Sequence, residues 1–296
     1  MTAARQSAGA APAKGELIAS RENQWLKEFR LALRGGLATS RGLIGVEGAR
    51  LVEEALRSGL HVEALLVSAS GERHLERLRP YLQEQRRAGL RVLRTTDRLF
   101  AGVADTETPQ GVAALVAPRA ASFDDIVRSP AAGALLIVVL VGVQDPGNVG
   151  TILRTGEAFG ATAVATCASG TSGTANPHSP KALRASAGSA LRLPILHGVG
   201  ISIVLTQLRL AGVKIMAATS SRRPGGTPPV FSPWEINWKD PVALLIGNEG
   251  GGLPEEIEGS ADALLRIPVA EPVESLNAAA AAAVLLYEAA RQRRAP

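Results

Sequence analysis

The stretch ALLIVVLVGV, residues 134–143, decides the fold class of this 296-residue chain. Nearly every position in it is apolar, as expected for a strand whose two faces are both buried in a parallel sheet. From this strand to the C-terminus, apolar strand patterns alternate with helix patterns, including one helix predicted over residues 179–191. Such alternation predicts a Rossmann-like α/β domain over residues 134–296, with helices on both faces of a parallel sheet.

The residues before this strand form a smaller unit. Three amphipathic helix patterns and three strand patterns predict an α/β domain over residues 15–118. Residues 1–14 read as a flexible tail, and residues 119–133 as a linker or short helix. The sequence therefore predicts two folded domains of unequal size.

The excess positive charge lies entirely in the first part of the chain. Residues 1–120 hold 18 Lys and Arg against 13 Asp and Glu, whereas the remainder holds 14 of each, so the net charge of +5 belongs to the first part. A basic domain beside a neutral one indicates that the N-terminal part meets a polyanion. The second domain then has a different task.

Several classes of protein are excluded by composition. No uninterrupted apolar stretch reaches the roughly 20 residues that a membrane span requires. The charges near the N-terminus are not followed by an apolar core, so we expect no secretory signal. The single cysteine, Cys167, permits no internal disulfide and is expected to be a small buried side chain. These features are typical of a cytoplasmic protein.

Three loops that follow strands carry residues that could take part in binding or catalysis. These loops span residues 144–160, 247–256 and 267–280. Ligands of parallel sheets bind beyond the carboxyl ends of the strands, so these loops could share one site. Each loop alone also fits a purely structural role. Asn148 could cap a helix, Glu249 could sit exposed on a tight turn, and Ser275 or Asn277 could cap the last helix.

The glycine-rich loop GNEGGGLPEE, residues 247–256, is not a phosphate-binding loop of a known kind. It lacks the Lys and Ser or Thr of a P-loop, and the first strand–helix turn lacks the GxGxxG of a Rossmann dehydrogenase. A carboxylate at the tip, Glu249, would repel a phosphate. Three consecutive glycines would allow close approach of a ligand to the backbone, but a tight turn with Glu249 exposed fits the loop equally well.

Taken together, the loops resemble the motifs of the SpoU (TrmH-like) RNA ribose methyltransferases of the SPOUT class. The family shows N-x5-R, G-x-E-G and I-P…E-S-L-N in this order. Here they are Asn148…Arg154, Gly247-Asn248-Glu249-Gly250 and Ile267-Pro268…Glu274-Ser275-Leu276-Asn277. The stretches SRENQWLKEFR, GVEGARLVEEAL and TPQGVAALV resemble the substrate-binding domain of the same family. One departure is Glu271-Pro272, where the family usually has glycine at the first position, and we expect it to alter the path of that loop.

The resemblance implies S-adenosylmethionine as methyl donor, no metal, a deep trefoil knot formed around the last two motif loops, and a homodimer whose interface completes the site. It further implies which residues hold the donor: Thr219, Gly247, Asn248, Gly250, Ile267, Pro268, Ser275 and Leu276. The residues implied for catalysis are Arg154, Asn148, Glu249, Ser275 and Asn277.

The implied reaction is methylation of a ribose 2′-hydroxyl in structured RNA, with ribosomal RNA ahead of transfer RNA as substrate. The family assigns proton acceptance to the motif arginine, here Arg154, but a guanidinium stays charged at neutral pH. Arg154 could instead hold a substrate phosphate while phosphate or water takes the proton. Both roles stay open at this point.

RNA contacts are expected in the basic N-terminal domain. With aromatic residues at 3%, phosphate and 2′-hydroxyl contacts are favoured over extensive base stacking. The candidate residues are Arg21, Asn23, Lys27, Arg30, Arg34 and Arg50. The alternatives are a catalytically inactive RNA-binding relative and a SPOUT enzyme that methylates a base nitrogen; the intact motifs disfavour the first and the E-S-L-N motif the second.

Overall fold

A computed structural model describes residues 15–128, 134–168, 173–220 and 228–294 of the chain. The predicted tail, residues 1–14, lies outside the described residues, as does the end of the predicted linker, residues 129–133. Within the described part, two separate sheets account for all the named strands.

The first sheet has five strands and lies in the N-terminal part. Its strands are β1 (Glu16–Leu17), β2 (Ile44–Glu47), β3 (Val62–Ser68), β4 (Arg91–Thr95) and β5 (Val112–Val116). Its helices are α1 (Gln24–Leu33), α2 (Ala49–Arg57), α3 (Leu75–Arg87) and α4 (Asp97–Ala101), with a 3₁₀ turn at Ser70–His74. The order is β1-β4-β3-β5-β2, and β5 runs antiparallel to both of its neighbours. Helix α5 (Phe123–Val127) follows, so the predicted linker does contain a short helix.

The second sheet has seven strands and begins at the stretch quoted first. Its strands are β6 (Leu136–Val141), β7 (Ala163–Cys167), β8 (Ile195–Val199), β9 (Lys214–Ala218), β10 (Val230–Phe231), β11 (Val242–Ile246) and β12 (Ala263–Leu265). Its helices are α6 (Pro146–Ala158), α7 (Pro180–Ser186), α8 (Ser189–Arg192), α9 (Ile201–Leu210), α10 (Glu255–Gly259) and α11 (Ala278–Arg294).

The second sheet confirms the predicted parallel α/β fold. Its order is β10-β12-β9-β11-β6-β7-β8, and every pair in it is parallel. All six residues of β6 are buried, because the strand lies between two others and has helices on both faces. Strands β12, β9, β11 and β6 are neighbours, so the loops that leave their carboxyl ends emerge side by side at one edge.

The single helix predicted over residues 179–191 is wrong. The structure divides it into α7 and α8, because Ala187 has φ +49° and Gly188 has φ +93°. Two consecutive residues of left-handed conformation end a right-handed helix. Gly188 is the sequence signal of this break, because glycine commonly ends a helix in left-handed conformation, whereas Ala187 is an ordinary helix former and gives no signal.

Four strands do not appear among the sequence predictions. Strand β2 precedes α2 so closely that its pattern merges with the helix, and β8 contains His197 and Gly198, which weaken a strand pattern. Gly198 has φ +75°, and the pairing of β7 with β8 shifts register there. Strands β1 and β10 have two residues each, too few for any periodicity.

The two sheets share one core. A single cluster of buried apolar side chains contains Val46 and Val52 from the first part and Leu136 and Leu183 from the second. Ion pairs border it: Arg184 Nη1 lies 2.7 Å from Asp105 Oδ2, and Arg192 bonds both Glu54 and Glu157.

Cys167 ends β7 and is 1% exposed. Burial raises the pKa of its thiol to about 12, so the expectation of a small buried side chain is met. Among the described residues, no helix combines the length and apolar character that crossing a membrane would need.

Candidate functional site

The first motif follows the loop that joins β6 to α6. Asp145 caps this helix by accepting a hydrogen bond from the Gly147 amide at 2.8 Å, and Pro146 occupies the first helical position. The capping role considered for Asn148 is therefore taken by Asp145. The side chain of Asn148, in the first turn, is left to make other contacts.

The second motif forms a turn that closes on itself. Asn248 and Gly252 exchange backbone hydrogen bonds at 3.0 Å in both directions. The Asn248 side chain donates to the Gly142 carbonyl at 2.9 Å and accepts from the amides of Gly250 and Gly251. These bonds fix the glycine loop against the end of β6.

Gly247 sits at the one place in this turn where no side chain fits. A Cβ atom built there would lie 2.4 Å from the carbonyl carbon of Gly252 and 2.5 Å from the amide nitrogen of Leu253. Gly251, by contrast, has nothing within 4 Å of such an atom. The first glycine is required by backbone packing, and the later one is not.

Glu249 joins the second motif to the first. Its carboxylate accepts a hydrogen bond from Asn148 Nδ2 at 2.9 Å and from the amides of Gln144 and Asp145, each at 3.3 Å. Burial raises the pKa of Glu249, but the hydrogen bonds from Asn148 and the backbone lower it by more. The pKa of Glu249 therefore lies below its ordinary value, and the carboxylate serves as a charged clasp between two loops.

The third motif is tied to the same clasp. Asn277 Nδ2 donates to Asn148 Oδ1 at 3.2 Å, while Asn277 Oδ1 accepts from the amides of Ala279 and Ala280. Asn277 thus caps α11 and also bonds across to the first motif. A chain of side chains, Glu249–Asn148–Asn277, connects the first motif to two motifs that lie more than a hundred residues further along the sequence.

A cavity of about 840 Å³ opens beside this chain, at the carboxyl ends of β9, β11 and β12. Seven of the eight residues predicted to hold the donor line it: Thr219, Gly247, Asn248, Gly250, Ile267, Ser275 and Leu276. Pro268 does not. Of the residues predicted for catalysis, Glu249 and Ser275 line the cavity. Asn148 and Asn277 do not line it, but Asn148 donates to Glu249 and Asn277 donates to Asn148.

The charge of the cavity wall was not anticipated. Five glutamates line it against a single Arg266, among the residues that the structure describes. They are Glu249, Glu255, Glu258, Glu271 and Glu274. Glu271 and Pro272, the positions that depart from the family pattern, belong to this wall. Only the fold could show that α10 and the third loop turn their acidic residues to the same space.

Arg154 does not line this cavity. It lies on α6, is exposed, and borders a second cavity of about 430 Å³ together with Arg50 and Arg184. Within the part of the chain that the structure describes, Arg154 makes no hydrogen bond or ion pair. The first motif is therefore divided, with its asparagine at the clasp and its arginine at another surface.

The predicted RNA-binding residues lie on α1, directly before and after it, and at the beginning of α2. Three of them have partners within the protein: Asn23 caps α1, Lys27 pairs with Glu22 at 2.9 Å, and Arg30 donates to the Gly102 carbonyl at 3.3 Å. The other three are exposed: Arg21, Arg34 and Arg50. Arg184 was not among the predicted residues, because only the fold brings α7 beside α2.

Comparison with known proteins agrees with this arrangement. Residues 135–287 match the SpoU rRNA Methylase family, and residues 39–114 match the MRM3-like substrate binding domain. The 23S rRNA (guanosine(2553)-2′-O)-methyltransferase RlmP of Bacillus subtilis is 30% identical over 270 residues, which cover 91% of this chain and 97% of that protein. The 23S rRNA (guanosine-2′-O-)-methyltransferase RlmB of Xylella fastidiosa is 34% identical over 237 residues, 79% of this chain and 90% of that one.

Among solved structures, the AdoMet-bound rRNA methyltransferase from Sinorhizobium meliloti is similar along nearly the whole chain. Its TM-score is 0.77 at 28% identity, and the match covers 93% of this chain and 97% of that one. The match therefore extends over both sheets and over the motif loops of the second sheet. The chain belongs to the SpoU rRNA methylase family.

Proposed function

We propose that this protein transfers the methyl group of S-adenosylmethionine to a ribose 2′-hydroxyl of ribosomal RNA. The observation that carries the proposal is the hydrogen-bonded chain Glu249–Asn148–Asn277, which joins one residue of each motif beside the cavity that Glu249 lines. The named relatives act on 23S rRNA, which favours ribosomal over transfer RNA.

The residues present fit this donor. S-adenosylmethionine carries a sulfonium, an ammonium and a carboxylate group and so has a net positive charge, which the acidic cavity wall attracts, whereas it would repel phosphates. The close packing of Gly247 on the Gly252 and Leu253 backbone closes the turn that forms one wall of the cavity. We assign donor binding to the seven predicted residues that line the cavity: Thr219, Gly247, Asn248, Gly250, Ile267, Ser275 and Leu276.

When bound, S-adenosylmethionine supplies a methyl group on a positively charged sulfur, ready for in-line transfer. The protein's own task is to hold donor and ribose in line, which can supply several kcal/mol of the barrier reduction. Glu249, Asn148 and Asn277 keep the three loops in register for this alignment. Ser275 lines the cavity beside Leu276 and is placed to orient the ribose.

Arg154 is assigned to the RNA rather than to the proton. It is a cation at neutral pH, and it borders a surface cavity away from the donor loops. Charge-assisted hydrogen bonds to a substrate phosphate suit a guanidinium in this position, and phosphate or water then takes the hydroxyl proton.

We further infer the assembly and domain roles that the family resemblance implies. Residues 15–118 form the RNA-binding domain, with Arg21, Asn23, Lys27, Arg30, Arg34 and Arg50 at its contacts, and residues 134–296 form the knotted methyltransferase domain. The active form is a cytoplasmic homodimer in which the partner's surface completes the site. Light scattering should therefore give twice the 30.7 kDa of one chain, and a monomer active in methyl transfer would contradict this.

The test of function combines binding with transfer. Calorimetric titration with S-adenosylmethionine should show binding, whereas an inactive relative without donor binding would show no heat. Mapping of 2′-O-methyl groups in total RNA, with and without the gene, should then reveal one ribosomal position that depends on it. A missing position in transfer RNA instead would overturn the choice of substrate.

Arg154→Ala and Arg154→Lys separate the two roles of this residue. Since Arg154 holds a phosphate, lysine should retain part of the methyl-transfer rate, and alanine should lose about tenfold or more of kcat/KM, mostly through KM for RNA. Affinity for S-adenosylmethionine should not change in either variant. Near-normal transfer by both would remove Arg154 from the reaction.

A further inference from the structure

The second cavity lies between the two parts of the chain and is distinct from the donor cavity. Its wall takes Glu47, Gly48, Arg50 and Leu51 from β2 and α2, Thr106, Thr108 and Gln110 from the loop before β5, Arg154 from α6, and Arg184 and Ala187 from α7 and the turn after it. We call this space the arginine cleft. No residue is shared between its wall and that of the donor cavity.

The arginine cleft is positively charged. Its wall holds three guanidinium groups and one carboxylate. That carboxylate, Glu47, is 8% exposed, accepts from the Asp105 amide at 2.7 Å and accepts a hydrogen bond from the Thr106 hydroxyl, so both of its oxygens are engaged. The arginines therefore set the sign of the field in the cleft.

The three arginines differ in how firmly they are held. Arg184 is positioned by its ion pair with Asp105. Arg50 and Arg154 are exposed and have no hydrogen-bond or ion-pair partner among the described residues. One fixed and two unpaired guanidinium groups suit an anion that arrives from outside, since each can bind an oxyanion in a bidentate manner.

Neutral donors add to these charges. The Oε1 atom of Gln110 accepts from the Ala49 amide at 2.9 Å, which directs the NH₂ group of Gln110 to other partners. Thr108 contributes a hydroxyl, and α2 begins at the cleft with Gly48, which gives no side-chain cap. A wall of donors with this charge favours an anion with several acceptor oxygens.

We propose that the arginine cleft binds phosphodiester groups of the substrate RNA strand and thereby holds the strand across the junction of the two domains. The proposal rests on the proposed function, in which the substrate is RNA. Asn148 and Arg154 are six residues apart on α6, roughly 9 Å along its axis.

The test measures RNA affinity by fluorescence anisotropy over a series of KCl concentrations. The full chain is titrated against a short fluorescein-labelled oligouridylate, whose only strong charges are its phosphates. Each lost contact should reduce the slope of log affinity against log salt by about 0.7. Arg50→Gln and Arg184→Gln should each show this reduction, and Arg50→Lys should restore most of it.

A matched control is Arg87→Gln. Arg87 is an exposed arginine near the end of α3 that does not line the cleft, so its slope should equal that of the wild type. Unchanged slopes in Arg50→Gln and Arg184→Gln would overturn the proposal. A slope reduced equally in Arg87→Gln would do the same, because general surface charge would then explain the binding.

Two further measurements distinguish a failure of this proposal from a failure of the proposed function. S-adenosylmethionine titrations should give wild-type affinity in the cleft variants, which shows that they are folded. If the wild type binds RNA with the expected slopes but not the donor, the methyltransferase assignment fails and the cleft stands. If the donor binds and methyl transfer proceeds with wild-type KM for RNA in Arg50→Gln, the cleft proposal fails alone.

Discussion

Gly247 is the residue on which the shape of the donor cavity depends most directly. An added methyl group would lie within 2.5 Å of backbone atoms of Gly252 and Leu253, and backbone cannot move aside as a side chain can. Gly247→Ala should therefore open the turn at a cost of about 1–3 kcal/mol. We expect at least a tenfold loss of S-adenosylmethionine affinity in calorimetry.

Gly259→Ala is the control for this substitution. It adds the same methyl group near the end of α10, into open space, at a backbone without positive φ and at a position that does not line the cavity. Its donor affinity should stay within about twofold of the wild type. Equal losses in both variants would mean that the site responds to any added methyl group, and the role given to Gly247 would be wrong.

Glu249 gives a prediction about pH. Its pKa is lowered in the folded protein, so its contribution to stability is present above the unfolded value of about 4.3 and is lost as pH falls through the folded value. Urea unfolding should show Glu249→Gln less stable than the wild type near neutral pH, with the difference shrinking below about pH 4. Glu84→Gln, an exposed site on α3, should show no such trend.

At the scale of single residues, the sequence identified the participants and left their partners open. Asn148, Glu249 and Asn277 were each compatible with a plain turn or cap, because short polar residues beside helices have that role most often. The bonds between them depend on loops a hundred residues apart. No local pattern contains that information.

Helix α6 shows how one element serves both the fold and the site. A Cβ atom at Gly150 would lie 2.3 Å from the Ala182 carbonyl oxygen and 2.6 Å from the Ala185 Cβ, so α6 and α7 touch at a position without a side chain. Gly150→Ala should separate these helices and destabilise the protein by about 1–3 kcal/mol in urea unfolding.

Gly156→Ala in the same helix should have the opposite sign. Its added methyl would meet Ala161 at 3.4 Å, an ordinary contact, and alanine is a better helix former than glycine. We expect a gain of about 0.5–1 kcal/mol. Destabilisation by both substitutions would show that α6 tolerates no added volume at either position. The contact of Gly150 with α7 would then not explain the effect of Gly150→Ala.

At the scale of elements, the order of strands and helices was largely predictable. Buried parallel strands such as β6 and β11 show continuous apolar runs, and the motif loops follow them at the carboxyl ends as expected. The break between α7 and α8 is marked in the sequence by Gly188 alone, since Ala187 gives no warning of a left-handed turn. Edge strands of two residues were invisible.

For the whole molecule, the shared core predicts one cooperative unfolding transition. Apolar side chains of both sheets belong to one cluster, and Arg192 bonds glutamates on both sides of the junction. In Trp25→Phe, the remaining tryptophans, Trp234 and Trp238, report only on the second part. Their fluorescence and the far-ultraviolet circular dichroism of the whole chain should change at the same urea concentration.

Separate midpoints for the two signals would contradict this expectation and would mean that the parts unfold independently. At this scale the sequence was least informative. It placed excess charge in the N-terminal part, but the arrangement of Arg50, Arg154 and Arg184 around one cleft arises only when α2, α6 and α7 pack together. At that junction Arg154 borders the arginine cleft, whereas Asn148 bonds Glu249 beside the donor cavity. The spacing of the motif in the sequence does not reveal this separation.

The buried position of Cys167 has a practical consequence for following these events in solution. With its thiol protonated and enclosed, the chain offers no native site for maleimide reagents at neutral pH. A cysteine introduced at any exposed position could then be coupled to a dye without first removing Cys167. With one such cysteine in each domain, carrying a donor and an acceptor dye, single-molecule energy transfer could be measured in otherwise native protein.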